Sequence, residues 1–142
     1  MTVNELRIGN WILDDAGYIS KINGFKPFDD SVRCDEEEGC LILIDILHYG
    51  VWNKGWEIES YEIKPIPLTE EILLKCGFIE TKEGYIKALS NNSNIGLIKI
   101  KDRFMVSMAC PYGLFQSKSI MNLHQLQNLY FALTNNELEI NL

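Results

Sequence analysis

The chain has 142 residues, of which 46% are hydrophobic, and its formal net charge is −7. This length fits one ordinary domain or two small ones, and the composition supports a packed core and excludes an intrinsically disordered chain. The longest apolar run, residues 40–44, ends at Asp45 and is far too short to cross a bilayer. The amino terminus lacks the basic and apolar regions of a signal peptide. We therefore expect a cytoplasmic protein without a membrane partner.

The charge is divided unevenly along the chain. Residues 1–71 carry 15 acidic and six basic side chains, whereas residues 72–142 carry five acidic and seven basic ones. Such asymmetry suggests two units with different surroundings, and an acidic first half is unsuited to holding a phosphate backbone.

The first half of the chain is predicted to form short β-strands. Residues 8–13 and 18–23 flank the turn-forming residues 14–17 and predict one hairpin. Residues 24–30, which include Pro27, predict a loop, and residues 31–34 and 40–47 predict a second hairpin around residues 35–39, four acidic residues and a glycine. Residues 56–63 predict a further strand with a bulge or bend near Ser60. Five short strands in about 65 residues favour a small all-β unit, either an SH3-like barrel or a strongly bent sheet.

Pro65 and Pro67 mark the predicted junction between two subdomains. Proline lacks a backbone N–H, so two prolines in three residues do not fit inside a strand ladder or continue a helix. The predicted subdomains are residues 1–64 and residues 65–142, and they are short enough to share one core.

The second half is predicted to form a helix, an antiparallel meander and a terminal helix. Thr69 offers an N-cap hydroxyl, Glu70 and Glu71 place negative charge in the first turn, and Gly77 supplies a left-handed exit, so the first helix spans about two turns. Alternation predicts strands over residues 78–81, 84–89, 95–101, 104–109 and 114–117. Residues 138–140 are predicted to add a last short strand. The fold class is therefore α+β.

The terminal helix, Leu123 to Thr134, has the clearest periodicity in the chain. Its predicted core face carries Leu123, Leu126, Leu129, Tyr130 and Leu133, and its predicted polar face carries His124, Gln125, Asn128 and Ala132. Phe131 lies about 80° from Leu123 and outside the core face. We expect Phe131 either to broaden the buried face or to contact another chain.

Three strings spread along the chain carry a resemblance to a known family. They are residues 5–11 (ELRIGNW), 66–78 (IPLTEEILLKCGF) and 124–134 (HQLQNLYFALT). In order and spacing they resemble a family of short, uncharacterised proteins found in Bacteroidetes bacteria and in their phages and mobile elements. The resemblance implies a bacterial cytosolic or phage-encoded setting, and it brings no activity, ligand or catalytic residue.

The sequence shows no complete catalytic or metal-binding pattern. The cysteines Cys34, Cys40, Cys76 and Cys110 lack the short paired spacing of zinc sites, and the acidic residues 35–38, even with Asp29 and Asp30, lack the ligand order of a calcium loop. His48 and His124 are the candidate general bases, and His124 lies one turn before Asn128 on the predicted polar face. We therefore expect no catalytic residue, no metal and no cofactor.

Two groups of residues are candidate binding surfaces. Lys99, Lys101 and Arg103 recur at strand period and are predicted to share a solvent face, with Ile98 and Ile100 directed to the core; such a row suits phosphates or an acidic partner. Trp52 and Trp56, in a segment with glycines, suit either a stacking platform for a base or sugar or a cap on an open barrel end. Of the two, Trp56 is predicted to pack in the core, whereas Trp52 lies in a predicted loop.

These features favour a non-enzymatic interaction module that acts through protein–protein contacts on a host or phage component. The first alternative is a nucleic-acid-associated protein that uses the basic row and Trp52, or an acidic mimic of nucleic acid. The second alternative is a small hydrolase that uses His124. A homo-oligomer is compatible with each alternative, and the candidate contact residues are Lys99, Lys101, Arg103, Trp52, His124, Asn128 and Phe131.

Overall fold

A computed structural model of the chain describes residues 2–26, 40–89, 92–110, 113–116 and 119–141. The chain divides into two compact units, Met1–Ile66 and Pro67–Leu142. We call them unit 1 and unit 2. Two antiparallel sheets and two α-helices confirm the predicted α+β class.

Unit 1 is built on one five-stranded antiparallel sheet in the order β4-β3-β2-β1-β5. A short 3-10 turn, Val3–Glu5, precedes the sheet. The strands are β1 (Trp11–Leu13), β2 (Ile19–Lys26), β3 (Leu41–His48), β4 (Val51–Glu59) and β5 (Lys64–Pro65). Tyr49 and Gly50, with φ of 49° and 75°, connect β3 to β4 in a two-residue turn that requires left-handed backbone.

One face of this sheet carries the core of unit 1. Its buried cluster consists of Ile12, Ile22, Cys40, Ile42, Ile44, Ile58 and Ile63, with Val3, Leu6, Phe25 and Ile46 packed against it. In the described residues, no hydrogen-bonded ladder joins β4 to β5, so the sheet is open there and a closed barrel is not formed. The pairing register shifts between Ile22 and Gly24 in β2 and between Ile44 and Ile46 along β3. Such bulges bend a sheet.

Several details of unit 1 differ from the predictions. Trp52, expected in a loop, belongs to β4, and Gly24 extends β2 rather than opening a loop. A bulge lies at residues 54–55, because Asn53 pairs with Ile46 and Trp56 with Ile44. The bend expected near Ser60 is confirmed, since β4 ends at Glu59 and a turn follows over residues 60–62. Pro65 pairs with Ile12 in β5, which an edge strand tolerates because proline's missing donor faces away from the ladder. The predicted strand 31–34 and the predicted turn 35–39 lie outside the described residues.

Unit 2 contains a five-stranded antiparallel meander in the order β10-β9-β8-β7-β6. Its elements are α1 (Glu70–Lys75), β6 (Ile79–Thr81), β7 (Gly84–Ala88), β8 (Asn94–Ile100), β9 (Arg103–Cys110), β10 (Gly113–Gln116) and α2 (Leu123–Thr134). The predicted helix, meander and terminal helix are confirmed. The predicted strand at residues 138–140 is wrong: these residues are in no strand, and nearby Asn141 donates its N–H to the Lys75 carbonyl at 2.9 Å.

The first helix, α1, begins at its predicted cap and is followed by its predicted glycine, and α2 is bounded by Asn122 and Asn135. The Thr69 hydroxyl accepts the Ile72 N–H at 3.2 Å and so caps α1. The Gln125 side chain accepts the Asn122 N–H at 3.2 Å at the start of α2, and Asn135 ends that helix in the left-handed region with φ of 55°. Neither helix has the length and apolar run that crossing a bilayer requires, in the part of the chain that is described.

The buried face of α2 differs from the predicted one. Its buried residues are Leu123, His124, Leu126 and Gln127, whereas Leu133 is exposed. With successive residues 100° apart around the helix axis, the centre of the observed buried face is rotated by about 75° from the centre of the predicted face. The apolar pattern misplaced the face because two buried residues, His124 and Gln127, are polar.

Candidate binding site

A concave site in unit 1 forms where the core face of the sheet continues past its buried isoleucines. Side chains two residues apart on a strand share a face. From buried Ser20 this face runs back to Tyr18, and from buried Ile44 it runs forward through Ile46 to His48. Aromatic and polar side chains therefore replace isoleucine toward one end of the core.

The bulge in β4 supplies the third side of the site. Gly55 has φ of +85°, a left-handed conformation that suits glycine at a bulge. Because residues 54–55 add an extra position, Asn53 lies opposite Ile46 and Trp56 lies opposite Ile44. Directly opposed residues share a face, so Asn53 and Trp56 both lie on the core side although they are three residues apart.

The resulting cavity has a volume of about 420 Å³, within the range of roughly 300–1,000 Å³ typical of ligand sites. Its described lining residues are Asp14, Asp15, Ala16, Tyr18, Ile46, His48, Asn53 and Trp56. We call this site the aromatic pocket. The Tyr18 and His48 rings meet edge to face with centroids 5.1 Å apart. Tyr18 is 46% exposed and Trp56 is 56% exposed, so both rings are accessible to a ligand.

The turn between β1 and β2 holds the acidic wall of the pocket. Asp14 is only 3% exposed, and its Oδ1 accepts the Tyr18 N–H at 2.7 Å. The Asp14 N–H donates to the Tyr18 carbonyl at 3.0 Å, and the Gly17 N–H donates to the Asp14 carbonyl at 3.1 Å. These bonds fix Tyr18 and the exposed Asp15 beside the pocket. Among its described lining residues there is no lysine or arginine.

The structure reverses the expected roles of two tryptophans. Trp56, predicted to pack in the core, is exposed and lines the pocket. Trp52, predicted in a loop, is half-buried in β4 opposite Leu47 and meets Trp11 edge to face, with centroids 5.4 Å apart. Trp52 is not among the described residues that line the pocket.

The basic row in unit 2 does not form as predicted. Ile95 and Leu97 are the buried residues of β8, so Lys99 lies on the core side of the strand and Ile100, 43% exposed, lies on the other. Lys101 is in the turn after β8 with φ of 58°, and Arg103 begins β9 opposite Ile100. The turn therefore interrupts the strand period on which the row depends.

Lys99 instead forms an ion pair at a second cavity, which has a volume of about 340 Å³. Its Nζ lies 2.7 Å from Glu70 Oε1, between β8 and the first turn of α1. The hydrogen bond and the charge of Lys99 hold the pKa of Glu70 below its ordinary value, and Glu70 raises the pKa of Lys99. Arg103 Nε lies 3.4 Å from Asp102 Oδ1. Two cations of the row thus have carboxylate partners.

Two of the three candidate residues of the terminal helix, His124 and Asn128, are less accessible than their predicted polar face implies. His124 has no exposed surface, and Asn128 and Phe131 are half-buried. The prediction that His124 lies on a solvent face is wrong. A hydrolase that uses His124 would need the imidazole to reach its substrate, so the structure gives no support to that alternative.

The described residues contain no group of three histidine, cysteine or acidic side chains placed to hold a metal ion. Cys40 and Cys76 are buried. Cys34 and the acidic residues 29–30 and 35–38 lie outside the described residues.

The tryptophan-rich segment is visible in the sequence, whereas the pocket is not. Tyr18 and Asp15 are distant from Trp56 along the chain, and strand pairing brings them to the same place. The available signal was Gly55 beside Trp56, since a glycine inside a strand often marks a bulge. In comparisons with models of protein families, with curated proteins and with solved structures, the chain has no match.

Proposed function

We propose that this protein is a non-enzymatic interaction module that binds another protein through the aromatic pocket of unit 1. The observation that carries the proposal is the exposure of Trp56 and Tyr18 around a cavity of about 420 Å³. Tryptophan and tyrosine contribute most to binding when they are fixed on a rigid scaffold and partly exposed. Here the rings stand on paired strands and on a hydrogen-bonded turn.

The charge of unit 1 favours a protein partner over nucleic acid. Residues 1–66 carry 13 acidic and six basic side chains. Two of these acidic side chains, Asp14 and Asp15, line the pocket. Phosphate backbones are repelled by such a surface. The resemblance of three strings to proteins of Bacteroidetes bacteria and their phages supports a cytosolic host or phage component as the partner.

The architecture of unit 1 fits this role. We propose that it is an SH3-like unit, supported by β5 returning to pair with β1 and by the two register shifts that bend the sheet. A bent sheet leaves its concave face open at one end, and the aromatic pocket lies on the core side of this sheet.

Affinity capture from a bacterial host lysate tests the proposal with three forms of the full chain. They are the natural sequence, Trp56→Ala, and Tyr61→Ala as a control that removes an aromatic ring 75% exposed outside the described pocket lining. We expect Trp56→Ala to retain at least tenfold less of a partner protein that the other two forms retain equally. Circular dichroism of each form checks folding.

Equal capture by all three forms would contradict the proposal. Nuclease treatment of the lysate separates the alternative: if it removes every captured protein, the chain acts through nucleic acid and not through a protein contact.

A further inference from the structure

We infer that the aromatic pocket takes an arginine side chain of the partner protein, which rests on the proposed function and specifies its ligand. The pocket combines accessible aromatic rings with carboxylates. Each of these groups attracts a cation. Together they favour a planar cation, which can stack on a ring and donate hydrogen bonds to a carboxylate at the same time.

The aromatic rings supply the first attraction. The exposed rings of Trp56 and Tyr18 present faces with negative electrostatic potential, to which cations bind, and tryptophan binds them best. His48 meets the Tyr18 ring edge to face at 5.1 Å and the Tyr49 ring at 4.2 Å. These contacts limit the movement of the Tyr18 ring, so a ligand meets a preorganised wall.

The polar groups of the pocket are mainly acceptors. Asp15 is exposed and Asp14 is buried against the same turn. The Asn53 amide uses one of its two Nδ2 N–H donors on the Val51 carbonyl at 3.2 Å, and its Oδ1 can accept a hydrogen bond from a ligand. With no lysine or arginine among the described lining residues, the site is complementary to a positive charge that carries several N–H donors.

Arginine matches this combination better than lysine does. A guanidinium is planar, stacks on aromatic faces, is more weakly hydrated than an ammonium and presents five N–H donors. It can therefore lie against Trp56 or Tyr18 while it donates to Asp15 and Asn53. An ammonium cannot stack in this way and loses more hydration on entering the site.

Nuclear magnetic resonance titration of the full chain with capped pentapeptides tests the inference. The peptides are Gly-Gly-Arg-Gly-Gly and its counterparts with lysine or with citrulline, the neutral isostere of arginine, at the centre. We expect the arginine peptide to shift the indole signal of Trp56, and citrulline and lysine to bind at least about fivefold more weakly. The indole signal of half-buried Trp52 is expected to stay unchanged.

Two charge variants locate the site. Asp15→Asn removes a carboxylate of the pocket, whereas Glu57→Gln removes a carboxylate next to Trp56 in β4 that pairs with Lys26 at 3.5 Å and is outside the described lining. We expect Asp15→Asn to weaken arginine binding about two- to fivefold and Glu57→Gln to change it less than twofold.

Equal affinity for arginine and citrulline, stronger binding of lysine, or no Trp56 shift at millimolar arginine peptide would each overturn the inference. These results are distinguishable from failure of the proposed function. If Trp56→Ala still abolishes partner capture while the arginine peptide does not bind, the pocket binds a protein group of different chemistry. If capture does not depend on Trp56, the proposed function itself fails.

Discussion

At the scale of single residues, both the backbone conformation of Gly77 and a side chain from a distant part of the chain disfavour any other residue at this position. Gly77 follows α1 with φ of +78°, and a Cβ added there would lie 2.8 Å from Lys87 Nζ. That Nζ donates to the Cys76 carbonyl at 2.8 Å and so satisfies an acceptor at the end of the helix. The left-handed exit was predictable from the glycine, but its contact with Lys87 was not.

We expect Gly77→Ala to destabilise unit 2 by about 2 kcal/mol. Roughly 1 kcal/mol comes from alanine at positive φ, and about another 1 kcal/mol comes from displacing Lys87 and weakening its hydrogen bond. In a Lys87→Met background the same change is expected to cost only the first part. Urea unfolding of the four forms measures this double-mutant cycle. An equal cost of Gly77→Ala in both backgrounds would show that Lys87 plays no part.

Cys76 gives a second prediction at this scale. The thiol is buried, and burial raises its pKa to about 11. Roughly one thiol in a thousand would then be ionised at pH 8, and the thiolate is the reactive form. We expect iodoacetamide at pH 8 to leave Cys76 unmodified in the folded chain and to modify it in concentrated urea, as measured by peptide mass spectrometry. Comparable labelling in both conditions would mean that this part of unit 2 opens readily.

At the scale of elements, the ion pair of Glu70 and Lys99 connects α1 to β8. The two residues are 29 positions apart, and both side chains are about half-exposed. Exposed ion pairs add little to stability and are screened by salt. The pair has a larger effect on the charge of the surface. It neutralises Lys99, which the sequence pattern assigned to a row of exposed basic side chains.

Titration of the carboxyl groups tests this pair. Glu70 has a lowered pKa, so its stabilising contribution is present above the unfolded pKa near 4.5 and is lost as pH falls through the lower folded value. Lys99 has a raised pKa, so its contribution is lost as pH rises through a value above 10.5. We expect Lys99→Met to return the pKa of Glu70 toward 4.5, measured by carbon-13 NMR.

Glu71 serves as the internal control in that experiment. It pairs with Lys75 at 2.8 Å within α1, which also lowers its pKa. The Lys99→Met change should leave the pKa of Glu71 where it is. If the pKa of Glu70 does not rise while Glu71 stays constant, the pair between α1 and β8 does not form in solution.

At the scale of the whole molecule, each unit has its own spectroscopic signal of unfolding. All three tryptophans, Trp11, Trp52 and Trp56, lie in unit 1, whereas both α-helices of the described chain lie in unit 2. Tryptophan fluorescence therefore reports the unfolding of unit 1, and helical circular dichroism reports that of unit 2.

We expect Leu126→Ala to lower the stability of unit 2 by about 2–5 kcal/mol, the range for emptying a buried leucine site, because Leu126 has no exposed surface. The circular dichroism transition in urea should move to lower concentration while the tryptophan transition stays in place. Ile44→Ala, at a position 1% exposed in unit 1, should produce the opposite pattern. Transitions that move together in both variants would show one shared cooperative core.

The sequence by itself determined the features that depend on residues close together along the chain. The α1 cap at Thr69, its glycine exit and the strands of the meander depend on side-chain alternation and on hydrogen bonds within a few residues, and each lies close to its predicted position. The tertiary structure alone decided which faces are buried and which distant residues meet. Examples are the polar His124 and Gln127 in the buried face of α2, Lys99 on the core side of β8, and Trp56 on the pocket side of β4. The position of Trp56 depends on strand register, since one added residue at the β4 bulge moves every later side chain to the other face. The buried faces of α2 and β8 depend instead on which side of each element packs into the core of unit 2.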